Sequence, residues 1–239
     1  MPQPIHLRAL ARLLLLGLGL LLAWSAWQVA RPWADDLARV NPRDTAMMRL
    51  RAEAWAAAGQ KVRLRQTWVG YDQIAPVLVQ AVLIAEDDRF LRHHGFDLEM
   101  LRQALARNWR AGDAKYGAST ISQQLAKNLY LSPQRSLWRK FNEGLLTLGL
   151  EASLSKRRIL ELYLNLVEWG RGVFGIEAAA RHYFGCRARD LAAGQAARLA
   201  AMLPAPLRWD PRRPTPYLEA RARRILGEMR QRGLGRLWR

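Results

Sequence analysis

Glu86, Glu143 and the polar and basic side chains between them are the residues of this sequence whose types and spacing could do chemistry. Glu86 closes the apolar run PVLVQAVLIA and precedes DDRFLRHHGFD. A carboxylate placed there is partly withdrawn from water, which raises its pKa and suits it to general-base work. Taken alone, Glu86, Asp87 and Asp88 are more often a solvated helix end. His93, His94 and Asp97 invite a metal reading, but neighbouring histidines do not easily turn both rings to one ion, so structural or surface roles are expected. Ser119, Thr120, Gln123, Gln124, Lys127 and Asn128 form a polar stripe over two helical turns, along which a ligand could lie. Arg135, Arg139, Lys140 and Glu143 follow. Their bland reading is a surface ion pair between Arg139 and Glu143, worth little. Their sharper reading is a group of cations that binds a diphosphate beside an ionised Glu143.

The elements that must position these residues are mainly helical. Pro76 opens a helix that ends at the acidic turn, and Asp97 caps another from Leu98 to about Trp109, with Leu98, Leu101 and Leu105 on one face. The glycine-containing AGDAKYGA reads as a mobile loop. Thr120 and Gln123 have capping-box spacing for a helix to about Tyr130. Ser132-Pro133 interrupts it, and a long helix with Leu137, Phe141, Leu145 and Leu148 near helical period runs to about Leu154. Ser155 can cap a helix through Glu168, packed by Ile159, Leu160, Tyr163, Leu164 and Val167. Alanine-rich helices at 177–181 and 191–203 follow, and a surface helix from Pro216. Before all of these, 42–59 suggests an amphipathic linker helix and 61–71 a short extended piece.

The amino terminus differs in kind. Residues 13–30, LLLLGLGLLLAWSAWQVA, carry no charge and would span about 27 Å as a helix, close to the hydrocarbon thickness of a bilayer. Trp24, Trp27 and Trp33 suit the headgroup region, and Arg8 and Arg12 favour a cytoplasmic start. A signal peptide with Ala23-Trp24-Ser25 as cleavage site is the rival reading. The formal charge of +18 predicts attraction to polyanions, yet no nucleic-acid signature is present and nucleic acid is not expected as a partner. The single cysteine, Cys186, excludes an intrachain disulfide.

The strings themselves are familiar. EDDRFLRHHGFD resembles the first signature, E-D-x-x-F-x-x-H-x-G, of the family 51 peptidoglycan glycosyltransferases, through Glu86, Asp87, Phe90, His93 and Gly95. GASTISQQLAKN, RKFNE and KRRILELYLN are similar to the second, third and fourth, and GIEAAARHYFG more weakly to a fifth. All occur in family order over about residues 67–210. The resemblance implies a lysozyme-like helical domain at 67–239; the residues before it read as a cytoplasmic stretch at 1–12, a transmembrane helix at 13–30 and a membrane-proximal linker at 31–66. It implies Glu86 as the base that deprotonates the acceptor sugar's 4-hydroxyl, and Glu143 as a second functional glutamate that orients substrates or assists the leaving group. Lys127, Arg135, Arg139 and Lys140 then match diphosphate contacts, and Ser119, Thr120, Gln123, Gln124 and Asn128 match cleft-lining positions. Ala118 departs from the family, where many members carry a second glycine.

The implied reaction polymerises lipid II into β-1,4 glycan strands with inversion and release of undecaprenyl diphosphate. Such a displacement needs a base on one face and positive charge on the leaving group, which glutamate and Lys/Arg supply. No organic cofactor is implied, although a divalent ion, Mg or Mn, is compatible with it. The partners implied are lipid II, the growing glycan strand and membrane lipids, with cell-wall synthesis or division proteins as further candidates. The expected location is the bacterial inner membrane, single-pass, with the catalytic domain on the periplasmic side. Transpeptidation is not expected, since no K-T-G element exists. A lysozyme-like hydrolase also needs paired carboxylates but has no diphosphate to hold, and a non-enzymatic scaffold would leave Glu86 and the glutamines without a purpose.

Overall fold

The computed structural model describes residues 9–10, 12–17, 19–20, 23–24, 36–113, 117–132 and 136–236. Nearly all regular structure is helical: α1 (Ala46–Ala57), α2 (Pro76–Glu86), α3 (Leu98–Ala111), α4 (Ile121–Tyr130), α5 (Leu137–Ser153), α6 (Lys156–Leu166), α7 (Ile176–Phe184), α8 (Ala193–Met202) and α9 (Pro216–Arg232). Strands β1 (Glu168–Gly170) and β2 (Val173–Phe174) pair antiparallel, and Arg65 of the extended 61–71 segment bridges to Val173.

Local chemistry starts these helices where the sequence indicates. Pro76 occupies the first turn of α2, and Asp97 caps α3 by accepting from the backbone N–H groups of Glu99 and Met100. Thr120 and Gln123 form a complete capping box on α4. Ser155 caps α6 through Arg158 N–H as expected, and Ser136, which carried no expectation, caps α5 through Arg139 N–H.

The core is built around α2, whose Leu78, Val79, Ala81, Val82 and Leu83 are buried. It packs against α8 and α9, while α4 packs against α5, α6 and α1. The expected linker helix is therefore part of this packing: Met48 of α1 is buried, and Arg51 reaches Glu168 at 2.9 Å. The expected surface helix at the carboxyl end likewise buries one face, Leu218, Ala222, Ile225 and Met229. The helix expected to run through Glu168 stops at Leu166. Val167 turns extended there, because Gly175 N–H donates to its carbonyl at 3.0 Å and the Asn165 side chain is held on the backbone of Val69.

Two apolar faces point outward. On α3 only Ala104 is buried, whereas Leu98, Leu101 and Leu105 are exposed and Trp109 is 90% exposed. On α5, Leu137, Trp138, Phe141 and Leu148 are exposed, and the buried side carries Glu143, Thr147 and Leu150. Of the apolar run 13–30, residues 13–17, 19, 20, 23 and 24 are described; they are helical, with Leu13 to Leu16, Leu20 and Trp24 exposed. Among the described residues no helix is long and apolar enough to cross a membrane, and the rest of the expected anchor lies outside them. Part of the expected AGDAKYGA loop, 114–116, also lies outside, as does Pro133.

Candidate active site

Glu86 is the last residue of a buried helix, and its side chain is only 11% exposed. Its two oxygens have different surroundings. Oε2 accepts a hydrogen bond from Nε2 of Gln124 at 3.0 Å. Oε1 makes no hydrogen bond, and faces an Arg221 nitrogen at 3.7 Å. Burial raises the carboxyl pKa, while the Gln124 amide, Arg221 and Lys127 act against the rise and Asp87 adds to it. The reading of this acidic cluster as a solvated helix end fails on this point. Glu86 is desolvated but surrounded by groups that favour its charge.

Asp87 has a different task. It is buried, and its Oδ2 accepts from the backbone N–H of Ile121 at 2.9 Å, which ties the end of α2 to the start of α4. His93 Nε2 lies 3.0 Å from its Oδ1 and donates to it. Asp97 is occupied as the α3 cap. His93 and Asp97 are thus structural, the role expected of them, and among the described residues no three His, Cys, Asp or Glu side chains gather where a metal ion could sit.

The polar stripe divides in two. Thr120 and Gln123 are buried and spent on the capping box, and Thr120 Oγ1 also donates to the carbonyl of Gly95 at 2.6 Å. Both side chains hold the helix start, since a buried amide and hydroxyl so close to free backbone groups pair with them first. Thr120 nonetheless borders a cavity of about 110 Å³ that is lined also by Glu86, Asp88, Met100, Ala118 and Ser119. Ser119 is exposed at its rim, and Asn128 is buried farther along α4.

Lys127 links the stripe to the second carboxylate. It is half-buried, and burial holds its ammonium below the usual lysine pKa; Glu143 and Glu86 oppose that shift, while Arg139 and Lys140 reinforce it. The side chain is therefore within electrostatic range of both glutamates. Glu143 is 3% exposed and accepts from Nη1 of Arg139 at 2.7 Å and from Nζ of Lys140. The exposed-pair reading is thereby overturned: α5 turns its apolar side outward and buries its carboxylate. Three cations stand here against one carboxylate, leaving two positive charges for an anionic ligand. Arg135 lies outside the described residues.

Sequence reasoning missed Arg221 and Tyr163. Arg221 approaches Glu86 from α9, and the Tyr163 hydroxyl donates to Oε1 of Gln124 at 2.9 Å from α6. Tyr163 sits inside the KRRILELYLN string but reads there as one more core residue. Arg221 is one of many arginines in a basic stretch and carries no local signal.

The domain is mainly helical and holds two desolvated carboxylates in different surroundings, Glu86 against an amide and Glu143 against two cations. Such an arrangement can separate acid–base roles by environment. The transglycosylase family matches residues 54–230, and the chain belongs to that family of glycosyltransferases. It is 50% identical to a biosynthetic peptidoglycan transglycosylase of Azoarcus sp. over 224 residues, covering 93% of this chain and 95% of the relative. A protein of the same name from Aromatoleum aromaticum is 48% identical over 225 residues, 93% and 96% of the two chains. One from Nitrosospira multiformis is 50% identical over 189 residues, 79% and 82%.

Proposed function

We propose that this protein polymerises lipid II into β-1,4 glycan strands at the bacterial inner membrane, with inversion at the anomeric carbon and release of undecaprenyl diphosphate. The observation that carries the reading is the contrast between Glu86 and Glu143, with Lys127 in range of both. Glu86 Oε1, the oxygen that makes no hydrogen bond, takes the proton of the acceptor's 4-hydroxyl as that hydroxyl attacks the anomeric carbon. The bond to the diphosphate breaks on the opposite face. Lys127, Arg139 and Lys140, joined by Arg135, neutralise the charge that develops on the leaving diphosphate. Glu143 holds Arg139 and Lys140 in place. A divalent ion, Mg or Mn, is compatible with this chemistry and would add positive charge at the diphosphate.

Membrane lipids are the natural surroundings of such a substrate. The run 13–30 serves as the anchor, and the exposed leucines and tryptophans of α3 and α5 suit a lipid surface beside the cleft. Anchoring the enzyme where its substrate resides raises their effective concentration. Cell-wall synthesis or division proteins are further partners, and nucleic acid is none. The deciding experiment follows purified protein and labelled lipid II. Long glycan polymer from the wild type, and almost none from Glu86→Gln, is expected. Full activity of that variant removes the base assignment, and shortening of preformed strands without synthesis would favour a hydrolase.

A further inference from the structure

A glutamine side chain has a donor end and an acceptor end of nearly equal shape, so beside a carboxyl group it can present either. Presented with N–H, it favours the carboxylate; presented with C=O, it favours the protonated acid. In this protein Gln124 presents Nε2 to Glu86 while its Oε1 receives the Tyr163 hydroxyl. The three side chains come from α2, α4 and α6, which the core holds together.

We infer that Tyr163 is a positioning residue that locks the Gln124 amide with its donor end on Glu86, and so keeps the base ready to accept a proton. Tyr163 is fully buried, and burial holds its phenol well above the ordinary tyrosine value, so it has a proton to donate at every working pH. Reversal of the amide would leave that proton without its acceptor inside the core. It would also set Oε1 against an oxygen of Glu86, an arrangement compatible only with a protonated acid. The phenol thus acts on the base through an intermediary and touches no reacting atom. Of the charged groups facing Glu86, Arg221 on α9 and Lys127 on α4 also favour the carboxylate, whereas Asp87 opposes it.

The inference rests on Glu86 being the base, and its test separates the two. The acid limb of kcat/KM for lipid II polymerisation is measured for the wild type, Tyr163→Phe, Gln124→Leu and the double variant. Loss of the lock raises the pKa of Glu86, so the limb of Tyr163→Phe should move to higher pH by about half to one unit. Gln124→Leu should move at least as far, and the double variant no farther than Gln124→Leu, because the phenol acts only through the amide. Selective Tyr163→3-fluorotyrosine keeps the ring and strengthens the donor, and should move the limb the other way; it serves also if Tyr163→Phe does not fold. An unmoved limb, or a loss of rate equal at every pH, overturns the inference and leaves Tyr163 a packing residue. If Glu86→Gln is inactive while the Tyr163 limbs coincide with wild type, only the positioning role fails. If Glu86→Gln retains turnover, the base assignment fails and the positioning role with it.

Discussion

Glu143 and Arg139 form a buried hydrogen-bonded ion pair one helical turn apart, 2.7 Å from oxygen to Nη1, on the face of α5 that turns inward. A carboxylate so enclosed is tolerable only because cations meet it. Lys140, on the same carboxylate, is 49% exposed and has a free side from which to meet a ligand.

That asymmetry separates stability from binding. Lys140→Ala should cost less than about 1 kcal/mol of stability, yet weaken affinity for a lipid diphosphate by about tenfold. Glu143→Gln removes the anion between two cations and should cost on the order of 3 kcal/mol. Thermal melting and diphosphate binding, measured on both variants, check the pattern. Equal melting losses without a binding loss would return Lys140 to a surface ion pair.

Glu86→Gln should leave a fold that is slightly more stable at neutral pH. Burial raises the folded-state pKa of Glu86 above its unfolded value. The stability contributed by its protonated form is therefore complete below the unfolded value and is lost as pH rises through the folded one. Glutamine stays neutral throughout, so at pH 7 its melting temperature should lie about 2–4 °C above wild type. The difference should shrink as pH falls and vanish below about pH 3, where the wild-type acid is protonated in both states. A lower melting temperature at pH 7 would mean that the charge of Glu86 supports the fold.

Lys127→Met tests the same conflict with the opposite charge. The folded-state pKa of Lys127 is depressed, mainly by burial, so its charged form burdens the fold at pH values below that pKa. At pH 7 the methionine variant should melt no lower than wild type, while affinity for lipid diphosphate falls about 10- to 100-fold. As pH rises through the folded-state value, wild type should gain stability relative to the variant. Retained affinity would place the diphosphate elsewhere.

Gly95 is a backbone requirement. Its φ is +92°, and an added Cβ would stand 2.9 Å from Cγ2 of Thr147, while its carbonyl accepts from Thr120. Gly95→Ala should therefore cost about 2–3 kcal/mol, or roughly 5–10 °C in melting temperature. Turnover should fall too, since this turn sets the start of α4 and hence Gln124. Calorimetry and polymerisation rate together check it.

The starts of α2, α3, α4 and α6 were legible because caps and prolines act within a few residues of themselves. Glu86 was legible as a candidate from the apolar run before it, and the ordered signature strings identified the family without any contact being known. What the strings could not tell was which polar residues serve the site and which serve the fold: Thr120 and Gln123 look like Gln124 in sequence, yet only Gln124 reaches Glu86. Helical periodicity named the apolar positions of α3 and α5 but not whether they face the core or the outside, because an amphipathic stripe looks the same for either.

The sequence by itself determined the helical class, the cap positions and the pair of glutamates, all of which depend on neighbours along the chain. Only the tertiary structure decided the environments of those glutamates. Arg221 and Tyr163 approach from helices distant in sequence, and burial, which raises Glu86 and encloses Glu143, is a property of the packed whole.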